Sequence, residues 1–175
     1  MARRRLFFAL WPDEATAEAI DRARRRHLTR DGRWVPRSNL HLTVLFLGEI
    51  GDDLAVAEWP EAMDASSMTL VLDHLGTFRR SGLQWLGASG SPPALSHLVE
   101  SLRARANAHG IPVETRPFHA HITLARRVRQ PAQGRLETPI PWRIDRLHLI
   151  ESRLTSTGPH YYPVGHWGLG GTPPL

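Results

Sequence analysis

Two short phrases, "HLTV" at residues 41–44 and "HITL" at residues 121–124, each place an imidazole two positions before a threonine hydroxyl. In an extended strand successive side chains face opposite ways, so His41 and Thr43 share one face while Leu42 and Val44 share the other. The same holds for His121 and Thr123 against Ile122 and Leu124. Each phrase therefore fastens itself to a core and presents an imidazole beside a hydroxyl. By the same alternation, Phe46 is expected inside with Leu42 and Val44. A single histidine on a strand more commonly serves structure, and threonine favours strands in any case. Two such units, one in each half of the chain, point instead to a cleft that receives one imidazole from each side.

Paired histidines suit concerted acid–base chemistry, because imidazole titrates near neutrality and both protonation states are accessible. A neutral ring would accept a proton from an attacking oxygen while a charged ring gives one to a leaving oxygen. In-line displacement at a phosphodiester has this requirement, and the two threonine hydroxyls would then donate hydrogen bonds to the non-bridging oxygens. Arg126 follows the second phrase, where a guanidinium fork could hold a phosphate. The basic run Arg126, Arg127 and Arg129 reads equally well as a solvated surface. His119 shares a strand face with His121 at a spacing that metal sites also use, and folding could bring Asp73 or His74 nearby as a third ligand. Trp34, Tyr161 and Tyr162 are candidate platforms for stacked nucleobases.

The elements that must position these residues follow from local pattern. Residues 3–10, "RRRLFFAL", read as a buried strand, and residues 13–28 read as a helix whose arginines 22, 24, 25 and 26 form a solvated face. A Gly/Pro-broken loop from residue 32 leads into a strand that Gly48 ends. Residues 51–66 are weakly helical at best; residues 68–78 and 83–88 form two strands around the turn at 79–82. Residues 92–110 form the clearest helix, with Leu95, Leu98, Val99 and Leu102 in one stripe. Strands are expected over 118–128, 142–154 and 161–169, and the tail "GGTPPL" is expected to fray. The two halves follow a similar plan, which predicts one ancient duplication folded as α+β lobes of mostly antiparallel sheet.

With 175 residues, 41% apolar and 22% charged, the chain suits a single globular domain over 1–175. It holds no cysteine, which excludes disulfides, thiolate metal sites and thiol nucleophiles. Its 22 basic residues are all arginine and the formal net charge is +5, a balance that permits a polyanionic partner without requiring one. The basic start carries too short an apolar run for a signal peptide, and nothing approaches the ~18 apolar residues of a membrane span, so the expected compartment is the cytoplasm.

The stretches "RLFFAL", "WVPRSNLHLTVLFLGE", "FHAHITLARR" and "LIESRLTSTGPHYYPV" closely resemble the bacterial 2′-5′ RNA ligase family, also described as RNA 2′,3′-cyclic phosphodiesterases, within the two-histidine phosphoesterase superfamily. The resemblance covers nearly the whole chain. It implies a bilobed α+β fold: two pseudo-symmetric lobes with mostly antiparallel sheets lining a central cleft, and helices outside. It implies hydrolysis of RNA 2′,3′-cyclic phosphate ends to 2′-phosphomonoesters with no metal or other cofactor. His41 would be the proton donor to the departing 3′ oxygen and His121 the proton acceptor that activates water. Thr43 and Thr123 match the family's phosphate-contacting threonines, and Arg126 matches the arginine after its second motif. Reversal with a 5′-hydroxyl end would give 2′-5′ ligation as a secondary activity. His119 departs from the family pattern and joins Trp34 and Tyr161 as a candidate substrate contact. The implied partner is RNA with a 2′,3′-cyclic phosphate end, a tRNA-like or other fragment, with no membrane and no obligate protein partner. The alternatives are the same chemistry on a small cyclic nucleotide or ADP-ribose cyclic phosphate, a metal enzyme, and a non-catalytic module that holds RNA ends.

Overall fold

The computed structural model describes residues 2–52 and 54–170. In chain order its elements are β1 (Arg3–Leu10), α1 (Glu14–His27), β2 (Arg33–Trp34), β3 (Leu42–Gly51), β4 (Met68–Phe78), β5 (Leu83–Gly87), α2 (Pro93–Ala108), β6 (His121–Arg126), β7 (Gly134–Ile144), β8 (Arg146–Thr155) and β9 (Gly158–Gly168). Short 3-10 turns occupy Arg37–Asn39, Val56–Glu58 and Pro60–Ala62. The Asp13 carboxylate accepts the Thr16 N–H at 2.7 Å and caps α1. α2 buries the expected stripe of Leu95, Leu98, Val99 and Leu102. Among the described residues no helix is long and apolar enough to cross a membrane.

The strands form one nine-stranded sheet in the order β7-β4-β5-β6-β3-β1-β8-β9, with β2 added beside β6. The pairings are antiparallel throughout. The two histidine-bearing segments meet at the centre through one register pair, Leu42 opposite Ile122. That narrow seam divides the sheet into a lobe of β3, β1, β8 and β9 and a lobe of β7, β4, β5 and β6 with β2 alongside, as expected for an α+β bilobed fold. The lobes are not consecutive halves of the chain: β8 and β9 return to the lobe of β1 and β3, and the middle of the chain builds the other. The helices brace the seam by crossing it. α1, which leaves from β1, packs on β7, and α2, which leads into β6, packs on β3.

Four expectations are corrected. The strand over 142–154 is two strands broken at Asp145, and β7 begins at Gly134 despite Pro139 and Pro141. β7 ends the sheet order, and an edge strand tolerates residues that lack an N–H. The strand over 118–128 begins only at His121, which leaves His119 in the preceding loop. Phe46 is 43% exposed, because the register passes from Ala9–Thr43 to Phe8–Leu45 and leaves Val44 as a bulge. Val44 and Leu45 then both point inward and Phe46 turns out beneath the Arg5 guanidinium, 4.6 Å away. Arg24, finally, is 4% exposed rather than solvated. It pairs with Asp21 and donates to the carbonyls of Val35 at 2.6 Å and Leu124 at 3.1 Å. Of the tail, residues 171–175 lie outside the described residues.

Candidate active site

The alternation at the two motifs holds where it matters. Leu42, Val44, Ile122 and Leu124 are buried at 3% exposure or less, while His41, Thr43, His121 and Thr123 remain partly accessible on the other face. Extending the antiparallel register one residue each way from Leu42–Ile122 sets His41 opposite Thr123 and Thr43 opposite His121. The register thus places each histidine opposite the threonine position of the other motif across the seam. Between β2, the turn after it and the start of β9 lies a cleft of about 500 Å³, whose walls include His41, Thr123, Arg126, Trp34 and Tyr161.

Both imidazoles are held the same way. His41 Nδ1 lies 2.7 Å from the Asn39 carbonyl, and His121 Nδ1 lies 2.7 Å from the His119 carbonyl. A carbonyl only accepts, so Nδ1 carries the proton in both rings and Nε2 is the atom left for chemistry. Nε2 is then a base in the neutral ring and an acid in the charged one. His41 precedes β3 by one residue and His121 opens β6, so each ring stands where the ladder begins and a local carbonyl two residues back is within reach.

Aromatic rings enclose each imidazole. Trp11 stacks on His41 with centroids 4.6 Å apart and an interplanar angle of 13°, and Phe7 and Tyr161 close in at 5.3 and 5.2 Å. Trp11 also donates from Nε1 to the Ser38 carbonyl at 3.0 Å, which pins the turn that supplies the Asn39 carbonyl. On the other side Phe78 meets His121 edge-on at 5.2 Å, with Trp85 at 6.3 Å. Burial pushes His41 down to about 4, against the opposing pull of the Asn39 carbonyl; the positive charges of Arg126 and His121 push it further down. Burial likewise lowers His121, opposed by its bond to the His119 carbonyl. In the free protein His41 is therefore neutral at pH 7.

Arg126 ends β6, pairs in register with Arg33 of β2 and lines the same cleft as His41 and Tyr161. Trp34 forms cleft wall beneath the Arg24 guanidinium at 4.6 Å and near Arg30 at 5.3 Å. Tyr162, also in the wall, is covered by Arg153 at 4.4 Å. His119 is exposed, with its ring 5.5 Å from His121 and 4.6 Å from Trp85. Burial and the charges of His121 and His74 lower its pKa. The Asp73 carboxylate is engaged by His74 Nδ1 and the Ser89 N–H, each at 2.9 Å. Among the described residues no three His, Cys, Asp or Glu side chains are grouped to hold a metal ion.

Trp11, Phe7, Phe78, Trp85 and Asn39 were not anticipated. Phe7 carries no signal beyond its place in an apolar run, and Trp85 looks like any strand aromatic. Trp11 stands just before "PDE", where a bulky aromatic between a strand and a helix cap hints at a packing role near the strand end.

The sequence profile of the 2′-5′ RNA ligase superfamily matches residues 11–155. A curated relative, the RNA 2′,3′-cyclic phosphodiesterase of Escherichia coli K12, is 33% identical over 94% of this chain and 96% of its own length. The protein of the same name from Aquifex aeolicus is 28% identical over 95% and 98%. Among solved structures, E. coli LigT complexed with 3′-AMP superposes with a TM-score of 0.89 at 31% identity, covering 96% of this chain and 99% of LigT. With the paired H-x-T-x motifs facing one another across the seam, these similarities establish that the chain belongs to the 2′-5′ RNA ligase superfamily.

Proposed function

We propose that this protein hydrolyses 2′,3′-cyclic phosphate ends of RNA to 2′-phosphomonoesters by metal-independent catalysis at His41 and His121. The observation that carries the reading is the matched pair of imidazoles, each tethered through Nδ1 and each on a residue placed opposite the other motif's threonine position across one seam. In the reaction His121 Nε2 takes a proton from water as the water oxygen bonds to phosphorus. The P–O3′ bond breaks, and His41 Nε2 gives its proton to O3′. The products are a 2′-phosphate and a free 3′-hydroxyl, and the two rings end with their protonation states exchanged. Thr43 and Thr123 donate to the non-bridging oxygens, and Arg126 holds the phosphate from the cleft wall. With a 5′-hydroxyl end in place of water, the same proton transfers form a 2′-5′ linkage. The relatives' names support the substrate, and a cleft of about 500 Å³ has the size of a small-ligand site.

The test is incubation, with chelator present, of an oligonucleotide ending in a 2′,3′-cyclic phosphate, followed by identification of the phosphomonoester formed. Wild type gives a 2′-phosphate, and His41→Ala and His121→Ala are severely impaired. A 3′-phosphate product, chelator-sensitive turnover, or an active His121→Ala protein would overturn the reading. Turnover confined to small cyclic nucleotides would favour the alternative substrate class.

A further inference from the structure

We infer that an arginine surface outside the cleft binds the sugar–phosphate backbone of the RNA strand upstream of its reacting end. This rests on the cyclic-phosphate reading above. Three segments converge here: the loop after α1, the β4–β5 turn, and the loop after β6. The Val128 N–H donates to the Gly82 carbonyl at 3.1 Å, and the Asp31 carboxylate accepts the N–H groups of Arg129 and Gln130, both at 2.6 Å. Gly32, at φ +73°, passes so close that a Cβ there would lie 2.9 Å from the Val128 nitrogen.

These backbone contacts gather Arg30, Arg33, Arg79, Arg80, Arg127 and Arg129, all exposed, onto one end of the molecule. Among the described residues none of the six is in an ion pair with a carboxylate, whereas at least eight of the other sixteen arginines are. The single acid in these segments, Asp31, is already occupied by backbone N–H groups. The surface is continuous with the cleft, because Arg33 pairs with Arg126 across β2 and β6 and both line its wall. A strand closed at its 3′ end by a cyclic phosphate extends only in the 5′ direction, so it must leave the cleft on one side. Unpaired guanidiniums on that path suit a chain of phosphates.

The test compares wild type with R79Q/R80Q/R129Q, and with a charge-matched control, R3Q/R22Q/R143Q, drawn from other elements. The substrates are an RNA of about ten nucleotides ending in a 2′,3′-cyclic phosphate and a nucleoside 2′,3′-cyclic monophosphate, with KM measured at about 50 and 200 mM salt. Three single-strand phosphate contacts contribute a log–log salt slope of about 2, so wild-type KM for the RNA should rise roughly 20-fold more across this range than that of R79Q/R80Q/R129Q. Turnover of the mononucleotide should stay within about twofold of wild type, since no contact within the cleft is removed. An unchanged slope, an equal loss on the mononucleotide, or an equal flattening in the control would overturn the inference. If wild type turned over neither substrate, the cyclic-phosphate reading would fail by itself. Salt-dependent binding of an RNA of the same length with an open 3′ end would still report on the surface.

Discussion

A proton donor that is neutral when the protein is empty must gain its proton from the substrate's presence, and this gives a quantitative prediction for His41. With its pKa pushed down to about 4, about one ring in a thousand is charged at pH 7. A phosphodiester anion about 4 Å from the ring, at an effective dielectric of about 20, favours the imidazolium by about 4 kcal/mol. At 1.36 kcal/mol per unit this is about three units, which returns His41 to about 7 in the complex. Arg126 contributes in the same direction, because its charge lowers His41 in the free protein and would be offset once it grips the phosphate. The assay is an NMR titration of the His41 ring, free and saturated with the methyl ester of a nucleoside 2′-phosphate, a diester that carries the same single charge. The free ring should titrate at about 4 and the bound ring at about 7, a rise of about three units. Because kcat reports the bound state, it should fall as pH rises through the bound value and the donor loses its proton. A bound pKa that stays at about 4 would refute the reasoning, since His41 would then hold no proton to give.

The other expected outcomes concern the groups around that ring. Thr123→Val removes one hydroxyl donor from the cleft without changing the backbone register, and should lower kcat on the order of 10²-fold in a steady-state assay with little change in melting temperature. Trp11→Ala uncovers His41, and because burial is the largest cause of its depression, the ring's pKa in the free protein should rise from about 4 toward its ordinary value, read by the same NMR titration. Arg24→Met removes one of the two guanidinium partners of the buried Asp21 carboxylate and leaves the Val35 carbonyl short of a donor. Chemical denaturation should show a loss of about 1–3 kcal/mol.

What the sequence made legible was local. The alternation of His41, Thr43, His121 and Thr123 against their apolar neighbours, the stripe on α2 and the turn at 79–82 depend on residues a few positions apart, and they hold in the structure. Phe46 was misplaced because a bulge belongs to the pairing of β3 with β1, which no single strand encodes. β7 was missed because its two prolines argue against a strand until its place at the sheet edge is known. Arg24 sits in a run of arginines that all look solvated, and only the fold shows that one of them reaches the carbonyls of β6 and the chain after β2. The aromatic cage of His41 draws on β1, the residue after it and β9, elements far apart in the chain. The motifs marked which side chains face the seam; the surroundings that set their proton affinity came from tertiary packing.

The division of labour between the two imidazoles is tested most directly by a cyclic substrate with sulfur in place of the bridging 3′ oxygen. A thiolate leaves without needing a proton, so loss of the acid should be forgiven and loss of the base should not. His41→Ala should fall on the order of 10²–10⁴-fold on the oxygen substrate yet stay within about tenfold of wild type on the sulfur substrate. His121→Ala should be impaired on both. If His41→Ala is equally impaired on both substrates, or if His121→Ala is the variant that sulfur rescues, the account of this active site is wrong.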